Sequence, residues 1–272
     1  MNFLFWNIKK KDTLIPTIQA IAREEDIDVF AFAEFPSGSE AAFEAGLQQV
    51  SPSFKYLNPI AVGKIEIFYK HGTVNIAPCY HGERIKGYNV VSNVANETFL
   101  LFFTHVWSKA NVPEKQQNYR TPFVVKEITD REIAENNDKT IVCGDFNMDV
   151  YQDGMLLHTG FNAMMTSHIA QEGSRRVNKQ DFNMFYNPMW GLYGDVHGRE
   201  VAGTYYYRVY EPVTQYWHMY DQVIMRPAVI PYFDKQALKI VAKGNNYNLL
   251  TRKGVIDTHF SDHLPIKFKL NI

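Results

Sequence analysis

Four short polar clusters in this chain carry the residue types from which metal-assisted active sites are built, and each adjoins an apolar run. Asn7 closes the run from Asn2 through Phe5 and Trp6, Glu34 follows Val29, Phe30, Ala31, Phe32 and Ala33, and Gly144, Asp145, Phe146, Asn147 follow Thr140, Ile141, Val142 and Cys143. Ser261, Asp262, His263, Leu264 and Pro265 run directly into the alternating Ile266, Phe268 and Leu270. An aspartate beside a histidine just ahead of a strand sets a metal-binding carboxylate next to an imidazole. Carboxylates and carboxamides repeated at strand ends are the pattern of a site built on sheet edges. Alternation puts Asp145 and Asn147 on one side and Phe146 on the other. Gly144 would permit close approach of a ligand, although the same residues also read as an Asx-turn closing a strand.

Elements must exist to bring these ends together. The chain of 272 residues is long enough for one large domain or two small ones, and no repeat, low-complexity tract or proline-serine linker divides it, so a single domain over 1–272 is expected. Apolar content of 46% with 21% charged residues excludes a disordered chain. No run approaches the roughly 18–20 apolar residues of a membrane span. Lys9, Lys10 and Lys11 follow the first apolar run instead of preceding it, so the N-terminus reads as a strand and not as a signal peptide. The two cysteines, Cys79 and Cys143, are too few for a disulfide framework, which favours the cytoplasm. A net charge of −1 argues against coating nucleic acid by bulk electrostatics, while leaving room for a local basic cleft.

Periodicity predicts strands at 2–6 and 28–33, with a helix between them through Leu14, Ile18 and Ile21, capped by Asp12 or Thr13. A second helix is expected over 39–50, capped by Ser39. Strands follow at 64–69, 73–77, 84–91 and 98–106, punctuated by Gly63, Gly72, Gly82 and Gly87. A third helix over 119–136 leads into the strand at 140–143. Residues 150–200 read as irregular, with a short helix near 153–158 and a long aromatic loop, and strands at 204–210, 217–225, 237–243 and 266–270 complete the chain. This order suggests two mixed sheets packed face to face with helices outside, each half of the chain supplying one sheet.

With His105 at the end of the 98–106 run and Asp221 in Met219, Tyr220, Asp221, Gln222, Val223, the clusters resemble, in order, the motifs of the endonuclease/exonuclease/phosphatase superfamily. The resemblance covers essentially the whole chain, and the clusters around Asp145 and Asp262 are its specific parts. It implies a deoxyribonuclease I-like four-layered α/β sandwich with the site at one edge. Histidine at 105, where abasic-site endonucleases resemble tyrosine, disfavours abasic-site specificity. So does Asn7 being followed by Ile8 and three lysines instead of an acidic residue.

The resemblance implies roles. Glu34, Asn7 and Asp262 would lie at a divalent metal, Mg²⁺ or Mn²⁺, which suits hard oxygen donors; Glu34 could otherwise cap the following helix. Asp145 would orient the attacking water or accept its proton, Asn147 would donate to the phosphoryl oxygen, and His263, held by Asp221, would contact the phosphate as base or charged stabiliser. His105 would donate to a non-bridging oxygen, or be a partly buried strand-end histidine. Arg120 could bind substrate phosphate or sit as a helix-surface cation. Lys9, Lys10, Arg175 and Arg176 could steer a polyanion or be solvated, with Lys11 and Lys179 read the same way. Tyr186, Trp190, Tyr205, Tyr206, Tyr207 and Trp217 could stack on bases or pack in the core. His71, His158 and His197 lack metal-ligand spacing.

Implied overall is a divalent-metal-dependent phosphoesterase acting on nucleic acid as a nuclease, with a phosphatase or phosphodiesterase of a small phosphorylated metabolite or lipid head group as the alternative. An inactive binding scaffold would need a broken site, and every motif position carries a competent residue. No amphipathic basic helix points to a membrane.

Overall fold

Successive side chains of a strand face opposite sides of its sheet, so a strand covered on both faces needs apolar residues at every position. The strands flanking the polar clusters are of this kind. In a computed structural model of the protein, the described residues are 1–58, 65–73, 75–92, 96–195, 201–210, 212 and 214–272; Gly63, Lys64 and His197 lie outside them.

One sheet contains β1 (Asn2–Asn7), β2 (Val29–Ala33), β3 (Phe54–Tyr56) and β4 (Ile65–Lys70). The other contains β5 (Asn75–His81), β6 (Ile85–Ser92), β7 (Glu97–His105) and β8 (Thr140–Asp145), joined by the later strands β9 (Ala163–Met164), β12 (Phe185–Tyr186) and β15 (Asp221–Met225). Its order is β5-β6-β7-β8-β15-β12-β9. The long helices are α1 (Ile15–Glu24), α2 (Glu40–Gln48) and α3 (Glu114–Glu135), and two four-residue helices, α4 (Asp153–Leu156) and α5 (Ser167–Ala170), follow β8. Phe3 and Phe5 of one sheet pack inward with Phe99, Leu101 and Phe103 of the other, while Leu4 and Trp6 face α1 and α2, and Leu100 and Phe102 face α3. The layers are therefore helix, sheet, sheet, helix, the four-layered sandwich with two mixed sheets face to face.

Two parallel pairs, β1 with β2 and β7 with β8, are each linked by a helix, and their C-terminal ends carry Asn7, Glu34, His105 and Asp145. Polar residues at the carboxyl ends of parallel strands are where an α/β sheet opens a ligand crevice.

Several boundaries differ from the sequence reading. The halves do not each supply a sheet. The last strands, β16 (Lys239–Ile240) and β17 (Ile266–Lys269), return to the first sheet, where β17 pairs antiparallel with β1, Asn2 opposite Lys269. That pairing closes the open edge of β1 and carries Asp262 and His263 to Asn7. At α1, Asp12–Leu14 form a 3₁₀ turn, and the α-helix starts at Ile15 with no side-chain cap; Pro16 sits in its first turn, where its missing N–H is harmless. α3 begins at Glu114 and contains Pro122. Its first turns are polar and leave no apolar periodicity to read, yet Gln117 there is fully buried and donates to the Trp107 and Asn147 carbonyls.

The segment read as irregular holds a hairpin of β10 (Ser174–Val177) and β11 (Gln180–Asn183), turned by Asn178 and Lys179 at φ 48° and 68°, as a two-residue primed turn requires. Its strands are polar, which hid them. The 217–225 run splits into β14 (Trp217–His218), paired with β13 (Tyr205–Tyr206), and β15.

Candidate active site

Register places the site residues before any side chain is considered. His105 stands opposite Asp145 in the parallel β7–β8 pair, and Asp145 opposite Asp221 in the antiparallel β8–β15 pair. Chain reversals then turn the next groups inward: Glu34 and Asn147 both take left-handed backbone, φ 48° and 49°. The loop before β17 is pinned to β1 because Ser261 Oγ donates to the Asn7 carbonyl at 2.6 Å and accepts from the His263 N–H, while Trp6 Nε1 donates to the His263 carbonyl at 2.9 Å.

Asp145 is 1% exposed. Its Oδ1 accepts from the Asn147 amide at 2.9 Å and its Oδ2 from Asn7 Nδ2 at 3.1 Å. The Asx-turn and the functional cluster are therefore the same structure. Asn7 Nδ2 also reaches Glu34 Oε1 at 3.4 Å, and His105 Nε2 lies 3.7 Å from both Glu34 Oε1 and Asp145 Oδ2. His263 Nδ1 is 2.8 Å from Asp221 Oδ2, leaving Nε2 at 3.9 Å from Asp145 Oδ2.

Burial pushes the Asp145 carboxyl upward; Asp221 adds to this, against the pull of His263. Burial alone would lower His263, but Asp221 and Asp145 outweigh it and hold the imidazole well above its ordinary value. His263 is thus kept as a charged donor by the carboxylate behind it. Asp145, Asp221 and His263 present ligand atoms within 4.8 Å of one another, a buried group that could hold a metal ion only with the imidazole neutral and released from Asp221.

Asn7, Lys9, Glu34, His105, Asp145, Asn147, Asp262 and His263 all line one cleft of about 1050 Å³, and Asp221 is buried directly behind it. Lys9 reaches it by an ion pair of 2.6 Å with Asp262. The other expected cations are elsewhere. Lys10 is exposed in the adjoining turn and, like Lys11, is not among the lining residues. The Arg120 guanidinium lies 5.0 Å from the centre of the Trp107 ring, which also carries Arg84, in a separate shallow pocket. Arg175 donates to the Leu156 carbonyl and Arg176 pairs with Asp181 across the hairpin; neither lines the cleft. Of the aromatic residues, Tyr205 and Tyr207 line the cleft, whereas Tyr206 and Trp217 pack on each other beside the α1/α2 core and Tyr186 and Trp190 belong to the core between the sheets. Gly144 is also required by strand packing. A Cβ there would stand 2.0 Å from the Thr104 carbonyl oxygen, so glycine is needed for β7 and β8 to approach.

Sequence reasoning missed the far half of the cleft, with Lys109, Glu114, Asp149, Gln215, His218 and Tyr220. Asp149 Oδ2 and His218 Nδ1 are 2.8 Å apart, a second carboxylate–imidazole pair. Its one visible signal was proximity, since Asp149 lies two residues beyond Asn147 and His218 three before Asp221.

Layered sandwich and acidic cleft together define the deoxyribonuclease I-like fold of the endonuclease/exonuclease/phosphatase proteins. No protein-family model matches the chain, and no curated protein matches it. Among solved structures, the chain is similar to an endonuclease/exonuclease/phosphatase family protein of Bacteroides thetaiotaomicron, with 14% identity, 99% of this chain and 94% of that one covered, and a TM-score of 0.58. It is similar to the mannosyl-6-phosphatase of Bacteroides thetaiotaomicron VPI-5482, with 15% identity, 99% of each chain covered and a TM-score of 0.59. It is also similar to D. rerio TDP2 complexed with single-strand DNA product, with 15% identity, 100% and 99% covered and a TM-score of 0.54. At these identities the likeness establishes the fold.

Proposed function

We propose that this protein is a divalent-metal-dependent phosphoesterase working as a single domain. The observation that supports it best is the convergence of Asn7, Glu34, His105, Asp145, Asn147, Asp262 and the Asp221-backed His263 on one end of one cleft. A phosphate cannot enter among Glu34, Asp145 and Asp262 unless cations offset their charge. The donors are hard oxygens, which suits Mg²⁺ or Mn²⁺ over zinc. Glu34, Asn7 and Asp262 would hold the ion, and a divalent ion there supplies charge neutralisation and Lewis acidity toward the phosphoryl group.

The chain's own residues account for the rest. Asp145, raised by burial and fixed by two donors, orients a water and takes its proton. Asn147, whose Nδ2 donates to the Val106 carbonyl at 3.2 Å, is held at the same place to donate to a phosphoryl oxygen. His263 and His105 present Nε2 donors to the charge that builds on the non-bridging oxygens.

Excess EDTA is expected to abolish hydrolysis of p-nitrophenyl phosphate and bis-p-nitrophenyl phosphate, and Mg²⁺ or Mn²⁺ to restore it. Undiminished hydrolysis in EDTA would overturn the metal requirement. The Lys9 ammonium occupies Asp262 in competition with a metal. Lys9→Ala should lower the Mg²⁺ concentration for half-maximal activity by up to about fivefold, the size of an exposed ion pair. An increase would show instead that Lys9 assists.

Two substrate readings follow. Nucleic acid is supported by the similarity to TDP2 bound to a DNA product. A small phosphorylated molecule is supported by the similarity to a mannosyl-6-phosphatase and by the acidic lining of the cleft, with Arg120, Arg175 and Arg176 outside it. Cys79 and Cys143 are free thiols, as a reducing cytoplasm would keep them. Among the described residues no helix is long and apolar enough to cross a membrane.

A further inference from the structure

Beyond the Tyr205 ring, which lies 4.8 Å from that of His263, the cleft continues into an arm with its own construction. The same two chain segments that supply Asp145 and Asp221 extend past their strand ends to supply Asp149 and His218. Asp149 is 1% exposed. It accepts from the Met219 amide at 2.8 Å, from His218 Nδ1 at 2.8 Å and from Gln215 Nε2 at 3.1 Å. A buried carboxylate tied by so many donors fixes the imidazole it faces. With Nδ1 committed, Nε2 is the His218 nitrogen left for the cleft. The ring lies flat on Tyr220, 4.8 Å between centroids at 26°, and Tyr220 in turn stacks on Tyr205 at 5.2 Å. Two ring-to-ring steps, 4.8 Å from His263 to Tyr205 and 6.2 Å from Tyr205 to His218, separate the two imidazoles. A group attached to a phosphate at His263 would extend past Tyr205 toward His218 in the same cleft.

Charge decides what that group can be. Among the described residues the arm carries three carboxylates, Glu114, Asp149 and Asp153, against one full cation, Lys109, which already lies 3.9 Å from Glu114. A neighbouring phosphate of a polynucleotide would meet this lining unscreened, and like-charge juxtaposition is how a site rejects a wrong partner. Gln215 spends its amide N–H groups on Asp149, Tyr151 and Tyr193, which leaves its carbonyl oxygen, with the His218 Nε2 and the Tyr207 and Tyr220 hydroxyls, as donors and acceptors beside aromatic rings, and such a lining complements hydroxyl groups on an uncharged ring.

We propose that this arm is a leaving-group subsite for an uncharged polyhydroxylated alcohol of the sugar type, with His218, oriented by Asp149, and Gln215 as its specificity residues. The inference rests on the phosphoesterase reading and assigns its substrate class: a phosphomonoester of a sugar-like ring. Water's oxygen bonds to phosphorus, the ester P–O bond breaks, and the two protons of water end on the departing alcohol and on the phosphate, so no oxidant or further reactant is needed.

The test is steady-state kinetics of the Mg²⁺-loaded protein on hexose 6-phosphates, p-nitrophenyl phosphate and a single-stranded oligonucleotide. Wild type is expected to turn over a hexose phosphate with a kcat/KM above that for the oligonucleotide. His218→Asn and, separately, Gln215→Ala should lower the ratio of kcat/KM for the hexose phosphate to that for p-nitrophenyl phosphate about tenfold, through KM, the loss expected when one good hydrogen bond is removed. Melting temperatures of both variants identify any that fail to fold, and Gln215, exposed at the surface, supplies a second reading at a position where truncation spares the core. Preference for the oligonucleotide, or an equal fall on both small substrates in folded variants, overturns the subsite while leaving the phosphoesterase reading intact. Absence of hydrolysis of every substrate, p-nitrophenyl phosphate included, overturns both.

Discussion

Asp145→Asn is expected to lower kcat by about 10²–10⁴-fold, the contribution of a positioned proton acceptor, without lowering the melting temperature. Asparagine keeps the shape of the side chain and one oxygen for the Asn147 amide; it gives up the hydrogen bond accepted from Asn7 Nδ2, a loss set against removal of the buried charge, and it cannot take a proton from water. The carboxylate it replaces is buried 1% exposed, faces Asp221 across the β8–β15 register, and is pushed toward protonation by that setting. A group held ionised against burial and a like charge stores instability that its neutral isostere releases. Activity and stability should therefore move apart: turnover lost, melting temperature equal to wild type or higher, and metal binding followed by calorimetry retained. A variant that loses turnover together with several degrees of melting temperature would make Asp145 a structural carboxylate, and the proposed role would fall with it.

Glu132→Ala is expected to cost about 3–5 kcal/mol of stability, because it strands a buried guanidinium. Glu132 and Arg226 are 8% and 4% exposed, and Arg226 Nε and Nη2 donate to the two Glu132 oxygens at 2.8 and 3.0 Å. Arg226 also lies 3.7 Å from the centre of the Phe185 ring and donates to the Met184 carbonyl. This pair ties the last turns of α3 to the segment just after β15, the strand that begins with Asp221. Urea denaturation of wild type and variant measures the loss. Replacing both partners by apolar residues, Glu132→Leu with Arg226→Met, should recover most of it, since the cost of the single change is the uncompensated charge and not the absence of the pair. If the double variant is as unstable as Glu132→Ala, the geometry of the pair itself holds α3 in place.

What the sequence by itself determined is confined to information written in contiguous residues. A strand covered on both faces must be apolar at every position, so the runs ending at Asn7, Ala33 and Cys143 announced themselves and fixed where their polar successors would stand. The clusters around Asp145 and Asp262 were legible for the same reason, since the Asx-turn and the Asp–His step are each built from a few adjacent residues. Polar elements left no such trace, and the β10–β11 hairpin and the first turns of α3 were invisible to periodicity.

Tertiary structure alone decided which of these ends meet and what else they meet. Asp149 and His218 are 69 residues apart, and Lys9 and Asp262 are 253 apart. Neither pairing follows from composition or spacing, because each depends on the register of β8 against β15 or of β17 against β1, and a shift of one residue would turn the partner to the opposite face. The same holds for Gly144, whose need is set by a carbonyl on a neighbouring strand. It holds too for Arg120, Arg175 and Arg176, whose charge the sequence showed but whose direction depends on rings and carbonyls brought near only by packing.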